Sequence, residues 1–199
     1  MNARAETPGD CLRAMSARSF VRPDRLPGTG SAVRSALSLA ARKGELVRVR
    51  NGLYYKGVKS RYGMSKPSPE EVAREVLGTV GVGPAGYSAA RRLGLTTQVP
   101  AQLHISVAGP VPEQMSEVRV HKRNNMARRV LNETEIALLE VLRSPSTFAE
   151  GGWDALVRSG AALVRSGEID LNRLKSAVPG EGSRAARDNF ERLTDDLAA

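Results

Sequence analysis

The sequence is poor in groups that do covalent or metal chemistry. A single cysteine, Cys11, excludes an internal disulfide and makes no ligand set by itself. The only histidines, His104 and His121, have no cysteine cluster or spaced acid beside them, so a metal site would begin with at most two ligands. None of Ser88, Ser106 and Ser116 stands in a G-x-S-x-G setting or a visible triad order. No catalytic residue, metal or cofactor is therefore expected, nor an enzyme. Aromatic residues make up 4% of the 199 positions, so the cores must be built mainly from Ala, Val and Leu. No apolar run approaches membrane-spanning length, and no signal-type hydrophobic region stands at the start. The expectation is a cytoplasmic protein with no membrane partner.

Acid is also scarce, but only in one place. Residues 1–62 hold 13 Lys and Arg against 4 Asp and Glu, a net charge of +9, whereas residues 63–199 hold 17 of each. All the excess positive charge sits on the first segment, which suggests a polyanion as its partner and something else for the remainder. Within that segment, Gly28 to Lys56 reads as a helix and then a hairpin. Ser31 is placed to cap the helix, Arg42 and Lys43 suit its negative end, and Gly44 can take the left-handed conformation that stops it. At about 100° per residue, Val33, Ala36, Leu37 and Ala40 share one side. Ser31, Arg34, Ser35, Ser38 and Arg42 share the opposite arc, which holds no acid. Such a face fits phosphates and guanine edges, or is a solvated surface. Asn51-Gly52 is the favoured pair for a tight hairpin turn. Strand alternation puts Val47 and Val49 on one side and Arg48 and Arg50 on the other. A helix followed by a basic hairpin is the winged form of the helix-turn-helix, whose helix enters the major groove. Arg34 and Arg42, with the small serines beside them, are the candidate base or phosphate contacts; Arg48, Arg50 and Lys56 are the candidate phosphate contacts of the wing.

Along the chain, residues 1–9 read as a loose start and Asp10 as the cap of a first helix. Phe20, Val21 and Leu26 are expected in the core, with Arg22 and Arg25 near the nucleic-acid backbone. Gly57 to Pro67 reads as a polar, basic linker. Ser68-Pro-Glu-Glu71 predicts a capped helix start, and Pro84 a second helix reaching about Leu93. Leu103 to Val107 and Val118 to His121 alternate as strands. Asn132-Glu-Thr-Glu135 caps a helix carrying Ile136, Leu139 and Leu142, and three more helices are expected near 153–165, 170–178 and 183–197. The fold class is α+β: a winged helix-turn-helix over 1–62, then a mainly helical domain with a small β-sheet over 63–199.

Residues 10–56 resemble the N-terminal domain of the AbiEi-type antitoxins, in the phrase Ala-Leu-Ser-Leu-Ala-Ala-Arg-Lys-Gly-Glu-Leu-Val-Arg-Val-Arg-Asn-Gly-Leu-Tyr-Tyr (36–55). The likeness continues through Gly86-Tyr-Ser-Ala-Ala90 and Leu93-Gly-Leu-Thr-Thr-Gln-Val-Pro100, to roughly residue 145. It implies an antitoxin that represses its own operon by binding inverted repeats in double-stranded DNA, and that counters a nucleotidyltransferase-like toxin. The competing readings are a one-component repressor whose second domain binds a small ligand, and a nucleic-acid-modifying enzyme. The enzyme would need paired acids or a metal set in 63–199, and no convincing spacing is present.

Two other patterns invite chemistry. Gly81-Val-Gly83-Pro-Ala-Gly86 spells G-x-G-x-x-G, but a capped helix is expected before it, Ser106 stands where a carboxylate is needed, and Pro84 removes a donor. A glycine-rich turn between helices accounts for it. Lys122-Arg123-Asn-Asn125 with Arg128-Arg129 forms a second basic cluster, read as a solvated loop, a minor DNA contact or a place for an acidic partner.

Overall fold

The computed structural model describes residues 6–111, 115 and 117–198; Ser116 and the first five residues of the expected loose start lie outside them. The chain is mixed α+β and divides into two compact units, Met1–Glu75 and Val76–Ala199. That division falls inside the helix Pro69–Leu77.

In the first unit, α1 (Pro8–Ala14) begins earlier than expected. Thr7 is its cap, accepting from the Asp10 amide at 3.2 Å, while the Asp10 carboxylate accepts from the Thr7 amide at 3.4 Å. Asp10 is thus the returning half of a capping box, and Pro8 occupies a position that needs no N–H. Strand β1 (Ser19–Val21) and a single 3-10 turn at Pro23–Arg25 lead to α2 (Gly30–Arg42). Thr29 caps α2 by accepting from the Ala32 amide at 3.3 Å, so Ser31 is not the cap but an exposed residue of the first turn. The helix stops as the sequence predicts. Gly44 has φ +68°, and the Glu45 amide returns to the Ala40 carbonyl at 2.9 Å.

Strands β2 (Val47–Arg50) and β3 (Leu53–Lys56) flank Asn51-Gly52, where Gly52 takes φ +71°. The sheet order is β1-β3-β2, all antiparallel. The core joins Leu12, Val21, Val33, Leu37, Ala40 and Leu46, with Leu26 and Ala36 packed on it. Phe20 lies on the other sheet face against Tyr55, their ring centroids 5.0 Å apart. Residues 57–67 are not a plain linker: β4 (Lys59–Ser60) and β5 (Gly63–Met64) form a short hairpin. Helix α3 (Pro69–Leu77) follows, with the expected box between Ser68 and Glu71.

In the second unit, residues 82–84 form a strand where a turn between helices was expected. Strand β6 (Val82–Pro84) pairs antiparallel with β7 (Leu103–Ala108), which pairs parallel with β8 (Val118–Arg123). The glycines serve packing. A Cβ on Gly83 would lie 2.7 Å from Ile136 Cγ2, so the helix that carries Ile136 can approach β6 only over bare backbone. Helix α4 (Gly86–Arg92) therefore starts at Gly86, not at Pro84. At the centre lies α5 (Glu133–Val141), buried on every side chain from Thr134 to Val141. Around it stand α6 (Pro145–Phe148), α7 (Gly152–Arg165), α8 (Leu171–Ala177) and α9 (Arg184–Ala198), the last three where the pattern put them.

Candidate nucleic-acid interface

The apolar side of α2 enters the core through Val33, Leu37 and Ala40, so its opposite side is forced outward. Against that outer side runs the edge of β2. Together they form an open concavity of ≈ 550 Å³ lined by Arg34, Ser35, Ser38, Arg42 and Arg48, together with Ala41 and Tyr54. Five of the eight candidate residues thus share one surface. No acid lines it. Guanidinium groups present planar forks of donors that match phosphate oxygens and base edges, and serines and alanine let another surface come close.

The other three are placed elsewhere. Ser31 is exposed in the first turn of α2 but does not line this concavity. Arg50 is turned away by a β-bulge: Arg48 pairs with Tyr54 but Arg50 with Leu53, one residue fewer on β3. The extra residue breaks the alternation, so Arg50 shares the face of buried Leu53 and not that of Arg48. Lys56 is occupied. Its ammonium donates to the carbonyls of Leu12 at 2.8 Å, Arg13 at 2.9 Å and Met15 at 2.6 Å, which uses all three N–H groups to close the end of α1. Arg22, expected near the nucleic-acid backbone, instead pairs with the Glu75 carboxylate and carbonyl, both at 2.7 Å.

The second basic cluster is not a solvated loop. Arg128 is fully buried, with Nη1 at 2.6 Å from Glu140 and Nε at 2.6 Å from Glu181. Arg123 takes the other side of the Glu140 carboxylate at 2.5 Å, and Asn125 donates to Glu181 at 2.7 Å. Burial is the largest influence on Glu140 and pushes its carboxyl upward. The hydrogen bonds and charges of Arg123 and Arg128 outweigh it and hold the carboxyl below its ordinary value. The same glutamates hold the Arg128 guanidinium charged despite its burial. The partners stand 12 and 53 residues away in sequence, so no local signal announces them.

His104 and His121 share a sheet face, with ring nitrogens 3.4 Å apart. Burial, then the nearby arginine charges, lowers both below the usual imidazole value, which favours neutral rings. Among the described residues, no three His, Cys, Asp or Glu side chains are grouped to hold a metal ion. No described helix is long and apolar enough to cross a membrane. The second unit also has a shallow concavity of ≈ 470 Å³ whose walls include Thr96, Thr97, Glu150, Arg158 and Ser159.

These features define an α+β protein with a basic helix-and-hairpin surface on one unit and a charge-stapled helical core in the other. The chain belongs to a family of unknown function (DUF6088), whose match covers residues 20–136, from β1 to the start of α5. No curated protein matched the sequence. Among solved structures, the crystal structure of the RV2827C protein from Mycobacterium tuberculosis is similar with a TM-score of 0.55 and 19% identity, over 94% of this chain and 74% of that one. That likeness is one of fold.

Proposed function

We propose that the protein is a DNA-binding autorepressor and antitoxin. Its first unit acts as a winged helix-turn-helix on inverted repeats in double-stranded DNA, and its second counters a nucleotidyltransferase-like toxin. One observation carries the DNA-binding half: Arg34, Arg42 and Arg48 line a single acid-free concavity between a helix and a hairpin. In this reading α2 enters the major groove, with Ser35 and Ser38 permitting close approach, while Arg48 holds the flanking phosphates. The antitoxin half rests on the resemblance of residues 36–55, 86–90 and 93–100 to the AbiEi-type antitoxins. No covalent chemistry is assigned to the chain, and its place of action is the cytoplasm. Co-expression with the neighbouring gene product, scored for growth and co-purification, tests that half: growth is restored if the reading holds and stays arrested if it fails.

A second reading is a one-component repressor gated by a small ligand. The concavity beside Thr96 and Glu150 favours it. A ligand that changes operator affinity in the absence of any neighbouring toxin gene would decide for it.

A further inference from the structure

From Leu26 to Ser68 the chain holds nine Lys and Arg and one acid, Glu45. The α2–β2 concavity uses only three of those charges. Three more, Lys59, Arg61 and Lys66, lie on or beside the β4–β5 hairpin with no acid among them. At its tip Tyr62 is 84% exposed, the most open large side chain among the described hydrophobic residues, and the Arg61 guanidinium lies 4.7 Å from its ring centroid.

Strands of two residues are too short to stand alone, yet this hairpin is tied at both ends. At its base, Gly57 is buried so closely against Ser65 that a Cβ there would lie 2.1 Å from the Ser65 carbonyl oxygen. The Val58 amide donates to Ser65 Oγ at 2.9 Å, and the Ser65 amide returns to the Val58 carbonyl at 3.0 Å. At its tip, Ser60 Oγ accepts from the Tyr62 amide and donates to the Gly63 carbonyl, both at 3.1 Å. A braced hairpin thus projects an aromatic ring and a guanidinium into solvent.

We infer that the β4–β5 hairpin is a second contact to duplex DNA, on the minor groove and phosphates flanking the segment held by α2. The inference rests on the DNA-binding reading and extends it. Charge complementarity selects the partner. Lys59 and Lys66 meet phosphates as point charges, and Arg61, held by the Tyr62 ring, enters the minor groove, whose negative potential is greatest over A·T-rich sequence.

The test uses the full chain and a labelled duplex of about 30 bp with an A·T-rich half, titrated across salt. Lys59→Ala with Lys66→Ala makes the log-affinity against log-salt slope shallower by about 0.9 for each residue removed. Tyr62→Ala weakens binding about 2–5-fold with the slope unchanged. Netropsin, which fills A·T minor grooves, lowers wild-type affinity to that of Arg61→Ala and leaves Arg61→Ala unaffected. All four side chains are outside the core, and an unchanged thermal midpoint verifies that the variants are folded.

If Arg34→Ala and Arg42→Ala weaken binding while the hairpin variants match wild type, the hairpin inference is overturned and the DNA-binding reading stands. If Tyr62→Ala changes the sedimentation of the free protein and leaves the DNA affinity and netropsin response as in wild type, the hairpin joins copies of the chain and the inference fails. Wild-type binding without salt dependence takes down both.

Discussion

Lys56 and Arg48 carry the same charge in adjacent strands, and their surroundings give them different work. Three carbonyls at the end of α1 hold the Lys56 ammonium, whereas Arg48 is exposed, with one bond to Asn51 Oδ1 at 3.2 Å. Lys56→Ala is expected to lower the stability of the first unit by about 1–3 kcal/mol and leave the salt slope of DNA binding alone. Arg48→Ala does the reverse. Chemical denaturation beside salt titration separates them, and a shallower slope for Lys56→Ala would return it to the phosphate contacts.

Glu140 gives a second residue-scale expectation. Its carboxyl is held below 4.5, so as pH falls the unfolded chain takes the proton first. The stability it contributes is therefore full above about pH 4.5 and lost as pH falls through the lower folded value. His104 and His121, lowered from 6.5, add a gentler loss that begins below about pH 6.5, because here too the unfolded state binds protons first. Trp153, the only tryptophan, reports unfolding of the second unit by fluorescence. Glu140→Gln should remove the lower step of that profile and cost about 3–5 kcal/mol at neutral pH by leaving buried Arg128 half-paired. Unchanged stability at neutral pH would contradict the network.

At the scale of elements, what the sequence could reveal depended on how local the cause was. The buried side of α2, the Gly44 stop, the Asn51-Gly52 turn and the capping boxes at Ser68 and Asn132 are each written within a few residues, and each stands as expected. Alternation in β2 failed at Arg50 because a bulge depends on the partner strand. Strand β6 was missed because a three-residue Val-Gly-Pro segment has no period, and its glycine answers to Ile136, 53 positions on. Arg128 looked like one more charge in a basic run, since its acids arrive from α5 and from the segment before α9. Gly83→Ala tests the closest of these fits. The added methyl meets Ile136 at 2.7–2.8 Å, and the second unit should lose about 1–3 kcal/mol, read from the Trp153 transition. No loss would mean that α5 moves freely away from β6.

The whole molecule joins a strongly basic segment to one of zero net charge, and each unit has its own core. DNA binding and protection from a toxin should therefore be separable. Arg34→Glu with Arg48→Glu sets like charges against phosphates without touching either core, so it should abolish operator binding yet still protect cells when expressed from a foreign promoter. Leu139, fully buried in α5, is the converse. Leu139→Asp strands a charge in the second core and should end protection. Protection lost in the arginine double variant at normal abundance would make DNA binding itself the antidote.

The central claim is that the concavity between α2 and β2 is where duplex DNA is held. The most direct measurement is the affinity of the full chain for a labelled duplex of about 30 bp between about 50 and 200 mM salt, for wild type and for the Arg34→Ala, Arg42→Ala, Arg48→Ala triple variant. The account predicts steep salt dependence for wild type, made shallower by about 0.9 for each of these arginines that meets a phosphate. Equal affinity and equal slope for the two proteins would contradict it.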